Sequence, residues 1–180
     1  MAAKGDMQAS ALYVRLIRDV PGFPQPGVLF RDITPLLNDA AAFRQAVIDL
    51  AAPFKDQGID QVVAIEARGY LLGAPMALEL GAGFVPVRKI GKLPNATYQA
   101  QYDLEYGSAS IEMHQDALLD HHRVLIVDDV LATGGTMAAA RALVEQVQGN
   151  VVALAVLVEL EFLKGREKLE GVETFALIKY

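Results

Sequence analysis

Along the chain the apolar positions recur first at helical spacing and then as short solid runs, and the change of rhythm marks out the elements. Leu12, Leu16 and Ile17 predict a helix within Ala11–Val20, after ten small or polar residues. Pro21–Pro26 forces an extended path, because proline fixes its own φ and biases the preceding residue away from helix. Asn38 or Asp39 can cap a second helix reaching about Gln57, with Phe43, Val47, Leu50 and Phe54 along one face. Strands and helices then alternate. Gln61–Ile65 reads as a strand, Tyr70–Leu80 as a helix stopped by Gly81, and Phe84–Arg88 as a strand. The segment Leu93–Tyr106 has no clear period and reads as a long loop. Ser108–Met113 alternates as a hairpin or edge strand should.

The runs Val124–Asp128 and Val151–Leu157 are almost wholly apolar, as parallel strands covered on both faces require. The helix Thr136–Gln148 joins them, and Val172–Ile178 closes the series. Repeated β-α-β units imply an α/β fold: a central, mainly parallel sheet flanked by helices, with a ligand at the C-terminal ends of the strands. At 180 residues the chain is most simply a single domain, 1–180, long enough to bury roughly two-thirds of its unfolded surface.

Charge narrows the function. A net charge of −6 argues against general affinity for nucleic acid or an anionic membrane. Within this acidic chain Arg68, Arg88, Lys89 and Lys92 lie close together in sequence, as a site for a small polyanion would have them. Cysteine is absent, which excludes disulfides and a thiol nucleophile. The beginning of the chain lacks a signal-like apolar stretch, and the longest apolar run is far short of the ~20 residues needed to span a bilayer. A cytoplasmic location is the expectation.

The most informative stretch is Val124-Leu-Ile-Val-Asp-Asp-Val-Leu-Ala-Thr-Gly-Gly-Thr-Met137. A strand ends in two carboxylates, and a loop of small residues then opens a helix. Thr133, Gly134, Gly135 and Thr136 leave backbone N–H groups unshielded at the positive end of a helix dipole, which makes a phosphate cradle. Asp128 and Asp129 would repel that phosphate, so they face ribose hydroxyls, a metal, or both. The loop lacks the lysine of a Walker motif and the three spaced glycines of a dinucleotide fingerprint. Arg68, after a strand and before a helix, offers a fork of donors suited to pyrophosphate. His114, His121 and His122 show no metal-ligand spacing and read as surface residues.

This stretch resembles the phosphoribosyl-diphosphate-binding loop of type I phosphoribosyltransferases, and three further segments are similar to the adenine-specific branch of that family. They are Pro21–Pro35, Glu66-Ala-Arg-Gly-Tyr70 with Val87–Pro94, and Tyr102-Asp-Leu-Glu-Tyr-Gly107. The resemblance implies a small N-terminal base-binding hood (about 1–35) and a mobile catalytic lid (about 93–107). It implies that Asp128, Asp129 and Ala132–Thr136 hold the phosphoribosyl group, and that Arg68, Lys89, Lys92 and Tyr106 meet the pyrophosphate. It further implies that Leu29, Phe30 and Arg31 bind adenine, that Glu105 is the acid–base residue, and that the Glu66–Ala67 peptide is cis. Mg2+ would arrive on the substrate, and the chain would form a homodimer. The alternatives are a transferase for hypoxanthine, guanine or xanthine, or a non-catalytic regulator that binds phosphoribosyl diphosphate. A regulator should carry a winged-helix segment or a basic face, and neither is visible.

Overall fold

The computed structural model describes residues 12–103 and 108–180, and the chain divides into two compact units, Met1–Asp49 and Leu50–Tyr180. In the first, a short helical turn over residues 12–15 leads into strand β1 (Arg18–Pro21), paired antiparallel with β2 (Leu29–Asp32). The helix expected over Ala11–Val20 thus stops early, because its second half is taken by this hairpin. Cross-strand charges favour the hairpin: Arg18 Nε donates to Asp32 Oδ2 at 3.1 Å, and Arg31 pairs with Asp19. Tyr13 is fully buried, and its hydroxyl donates to Asp49 Oδ2 at 2.6 Å.

A single turn, α1 (Thr34–Asn38), precedes α2 (Ala40–Ala51). Asp39 caps α2 by accepting from the N–H groups of Ala41 (3.1 Å) and Ala42 (2.9 Å). The helix ends six residues short of Gln57 (57 − 51), in a 3-10 turn over Ala52–Phe54. Pro53 explains the stop, since it has no N–H for the helical ladder. Val47, Leu50 and Phe54 are buried as the periodicity predicts.

The second unit is built on a seven-stranded sheet. Its strands are β3 (Gln61–Ile65), β4 (Gly83–Lys89), β5 (Thr97–Asp103), β6 (Ser108–His114), β7 (Arg123–Leu131), β8 (Asn150–Glu159) and β9 (Glu173–Lys179). They lie in the order β5-β6-β4-β3-β7-β8-β9, and every pairing is parallel except the two that β6 makes, with β4 and β5. Val63, Ile65, Val87, Ile126 and Val156 join Met137, Ala140, Leu143 and Val144 of helix α4 (Gly135–Gln146) in one buried cluster. Helix α3 (Arg68–Leu80), ended by left-handed Gly81, packs on β3 through Gly73. A β carbon at Gly73 would lie 2.5 Å from that of Ala64. Gly73→Ala is therefore expected to lower stability by about 1–2 kcal/mol despite the better helix propensity of alanine, as read from urea denaturation.

Two expectations are corrected. Half of Leu93–Tyr106, Thr97–Asp103, is strand β5, paired residue by residue with β6, instead of loop. The signal was a short period of two: Tyr98, Ala100 and Tyr102 pack against the core cluster while Gln99 and Gln101 are exposed. His114, read as a surface residue, is half-buried, and its Nε2 is enclosed without a hydrogen-bond partner among the described residues.

Candidate active site

β3 leads through α3 to β4 on one side, while β7 leads through α4 to β8 on the other. The connections diverge between β3 and β7, which is where open α/β sheets place their ligands. The pairing of β3 with β7 ends at Ala64–Val127, whereas β7 continues beside β8 as far as Leu131–Glu159. Asp128 and Asp129 therefore sit within a strand whose β3 side has fallen away, and not at its last residue as the sequence suggests.

Both acids are removed from bulk water. Asp129 is buried and Asp128 partly so. Asp128 Oδ1 accepts from the Asp129 N–H at 2.9 Å. Arg68 Nε lies 2.6 Å from Asp129 Oδ2, which is buried yet takes no aligned hydrogen bond among the described residues. Burial raises both carboxyl pKa values; the charge of Asp129 adds to the rise at Asp128, and Arg68 opposes both. Among the described residues the two carboxylates share one ion-paired cation, Arg68, so the pair favours a ligand that brings hydroxyl donors or a cation.

Helix α3 comes close to these acids through Gly69. A β carbon there would lie 2.9 Å from the Val127 carbonyl oxygen and 3.0 Å from Asp128 Oδ1. The Glu66–Ala67 peptide just before it is cis, as the resemblance implies. Val130–Met137 line a concavity of about 60 Å³ that includes Ala132, Thr133, Gly134, Gly135 and Thr136. Gly134 is left-handed (φ +79°), and its carbonyl accepts the first bond of α4, from Ala138 N–H at 3.0 Å. The loop N–H groups of Thr133–Thr136 thus stand at the start of a twelve-residue helix, where an anion is favoured.

A basic turn follows β4. Gly91 (φ +78°) bends it, and Lys89 and Lys92 are exposed. Arg88 is occupied inside the protein: it donates to Glu66 from Nε (3.2 Å) and Nη2 (3.3 Å), and to the Lys92 carbonyl from Nη1 (2.9 Å). Burial works against the Glu66 carboxylate, yet the Lys89 N–H (3.0 Å) and Arg88 outweigh it and hold its pKa below the ordinary range. Sequence reasoning gave Glu66 no such role; once β3 and β4 pair through Ile65–Val87, it stands beside Arg88 by register.

Gly165 was also missed. A β carbon on Gly134 would lie 2.3 Å from the Gly165 carbonyl oxygen, and one on Gly165 would lie 2.3 Å from that of Ala132. Arg166 fastens this turn by a two-pronged bond to buried Glu159 (2.6 and 2.7 Å) and a third to the Thr174 carbonyl. Nothing in sequence spacing links Gly165 to the loop.

The structure thus gathers Arg68, Asp128, Asp129 and Ala132–Thr136 around the crevice, with Lys89 at the end of neighbouring β4 and Lys92 on the turn after it. Leu29, Phe30 and Arg31 lie on β2 of the first unit, where the Phe30 ring meets Phe23 edge-on at 5.0 Å. Glu105 and Tyr106 lie outside the described residues.

The family model for the phosphoribosyl transferase domain matches residues 36–174. An adenine phosphoribosyltransferase from Thermobifida fusca is 58% identical over 168 residues, which cover 93% of this chain and 96% of that one. The crystal structure of adenine phosphoribosyltransferase from Thermoanaerobacter pseudethanolicus superposes with a TM-score of 0.92 at 50% identity, covering 94% of this chain and 99% of that one. The Saccharomyces cerevisiae enzyme, complexed with an imino-altritol bisphosphate and adenine, gives 0.89 at 40% identity, covering 95% and 99%. The chain belongs to the phosphoribosyltransferase family, in its adenine phosphoribosyltransferase branch.

Proposed function

We propose that this enzyme acts in purine salvage, moving the phosphoribosyl group of phosphoribosyl diphosphate to adenine and yielding AMP and pyrophosphate. The observation that carries the reading is the meeting, at one switch point of the sheet, of an anion-binding loop, a charge-starved acid pair and Arg68. The choice of adenine is supported by the relatives and by the adenine in the yeast complex.

The chemistry explains the arrangement. Departure of pyrophosphate leaves positive charge at the anomeric carbon, so the site must hold the leaving anion and stabilise the sugar cation. Arg68, Lys89, Lys92 and Tyr106 are assigned to the pyrophosphate. Asp128 and Asp129 take the ribose hydroxyls and stabilise the cation. Ala132–Thr136 anchor the 5′-phosphate, whose fixed position aligns the sugar for attack. Leu29, Phe30 and Arg31 are assigned to the purine, and Glu105 to its ring proton.

Magnesium favours one or two carboxylates together with substrate oxygens and water. Asp128 and Asp129 offer hard oxygens, and Asp129 Oδ2 has an ion pair with Arg68 but no aligned hydrogen bond among the described residues, so the pair fits an ion that arrives on the substrate. When bound, it would neutralise charge on the departing pyrophosphate. The same reading places the enzyme in the cytoplasm, with its charged, membrane-impermeant substrate phosphoribosyl diphosphate. A homodimer completes it, supported by the exposed Leu71 and Leu78 on the outer side of α3. Leu78→Glu is expected to shift the protein towards monomer in sedimentation; an unchanged dimer would move the interface elsewhere.

A stability measurement probes the acid pair. A carboxyl whose folded pKa is raised contributes stability at pH below its unfolded value, and loses that contribution as pH rises through the folded value. Asp128→Asn removes the charge and keeps an acceptor for the Asp129 N–H. We expect it to raise the urea midpoint at neutral pH and to flatten the decline of stability on the way there, while turnover falls. A midpoint unchanged across pH would mean the two acids are not crowded.

The function itself is tested by supplying magnesium, phosphoribosyl diphosphate and each purine base in turn, and scoring pyrophosphate release. Adenine should react fastest. Faster reaction with hypoxanthine or guanine would remove the base assignment, and no release with any base would remove the activity.

A further inference from the structure

Glu112 on β6 is almost completely buried (3% exposed) beside a turn assigned to bind a polyanion, where an ionised carboxylate is out of place unless it has work to do. Its hydrogen bonds show what that work is. Oε1 accepts from the backbone N–H groups of Lys92 (2.9 Å) and Leu93 (3.0 Å), and Oε2 accepts from the Thr97 hydroxyl (3.1 Å). Burial pushes its pKa up, but the Leu93 and Lys92 N–H groups and the Thr97 hydroxyl outweigh that and keep it ionised below the ordinary range. The carboxylate is fully spent on the backbone after Gly91 and on the first residue of β5.

The opposite end of the turn is held the same way, since Glu66 Oε2 accepts from the Lys89 N–H at 3.0 Å. Two carboxylates therefore pin the main chain of Lys89–Lys92 while the two ammonium groups stay exposed to solvent. We propose that Glu112 is a positioning residue for pyrophosphate: through the Lys92 and Leu93 N–H groups it fixes the turn that presents Lys92 to the leaving group. The inference rests on the assignment of Lys92 to pyrophosphate made above.

AMP and phosphoribosyl diphosphate share the ribose 5′-phosphate, but only the latter carries the diphosphate, so a fault confined to this turn separates their affinities. Calorimetric titration of both ligands, with Mg2+ present, is made on the wild type, Glu112→Ala, Glu112→Gln, Lys92→Met and the Glu112→Ala/Lys92→Met double variant. Glu112→Ala should weaken phosphoribosyl diphosphate about tenfold and leave AMP within about twofold. Glu112→Gln keeps an acceptor for the two N–H groups and should restore most of the affinity. The double variant should bind no more weakly than Lys92→Met alone, because Glu112 acts through Lys92.

Equal losses for AMP and phosphoribosyl diphosphate, or losses that add in the double variant, would overturn the proposal. If Lys92→Met itself leaves phosphoribosyl diphosphate unaffected, the assignment of the turn fails, and the inference with it. Should Glu112→Ala not fold, Thr97→Val removes one of the three hydrogen bonds at the same carboxylate. It is expected to give a smaller loss of the same selective kind, and an unchanged diphosphate affinity there counts against the proposal.

Discussion

Gly134→Ala is expected to lower affinity for both AMP and phosphoribosyl diphosphate by about 10²-fold, the penalty typical of a misplaced anchoring group. Two physical effects act together. The residue is left-handed at φ +79°, a conformation that disfavours any side chain. Its new methyl would also lie 2.3 Å from the Gly165 carbonyl oxygen and 3.1 Å from the carbonyl carbon. Those are backbone atoms of a turn fastened by Arg166 to Glu159, so no flexible side chain can yield, and the loop must move. The N–H groups assigned to the 5′-phosphate move with it. Gly165→Ala approaches the same loop from the other side, through the Ala132 carbonyl, and should give the same loss. Titration of the two variants with AMP checks this, with circular dichroism to confirm that they fold. Unchanged AMP affinity in a folded Gly134→Ala protein would make the loop a turn and nothing more.

Glu105→Gln should lower turnover by about 10²-fold or more while phosphoribosyl diphosphate affinity and melting temperature stay nearly unchanged. Bonding to the sugar takes a proton off the purine ring, and a carboxylate can accept it where an amide of the same size cannot. Glu105 lies in sequence between β5 and β6, in a segment with no apolar period, so losing its one charge is expected to cost little stability. Steady-state rates at saturating adenine, alongside a thermal melt, separate the outcomes. Near-normal turnover would exclude Glu105 from the chemistry, and lost activity that accompanies unfolding would make it structural.

Sequence and structure meet where patterning and site coincide in one short segment. The run Val124–Val127, the acid pair and Thr133–Thr136 are contiguous, so their juxtaposition needs no tertiary information. The parallel sheet was legible for the same reason, because strands covered on both faces leave solid apolar runs. Features that depend on register were not legible. The support that Glu66 gives Arg88 and Lys89 follows only once β3 and β4 align, and the place of Glu112 beneath Lys92 only once β6 joins β4. Gly165 was invisible because backbone apposition between distant turns leaves no compositional trace. Strand β5 was misread because five alternating residues with tyrosine and glutamine give a weak period, which its pairing with β6 makes decisive. The first hairpin hid behind helical spacing, since the cross-strand ion pairs that accompany it leave no periodic signal.

The most direct measurement of the central claim is a crystal structure of the enzyme with AMP. The 5′-phosphate should rest on the N–H groups of Thr133–Thr136 at the start of α4, with the ribose hydroxyls on Asp128 and Asp129. A phosphate bound at the Lys89–Lys92 turn, or anywhere away from the crevice between β3 and β7, would contradict the account.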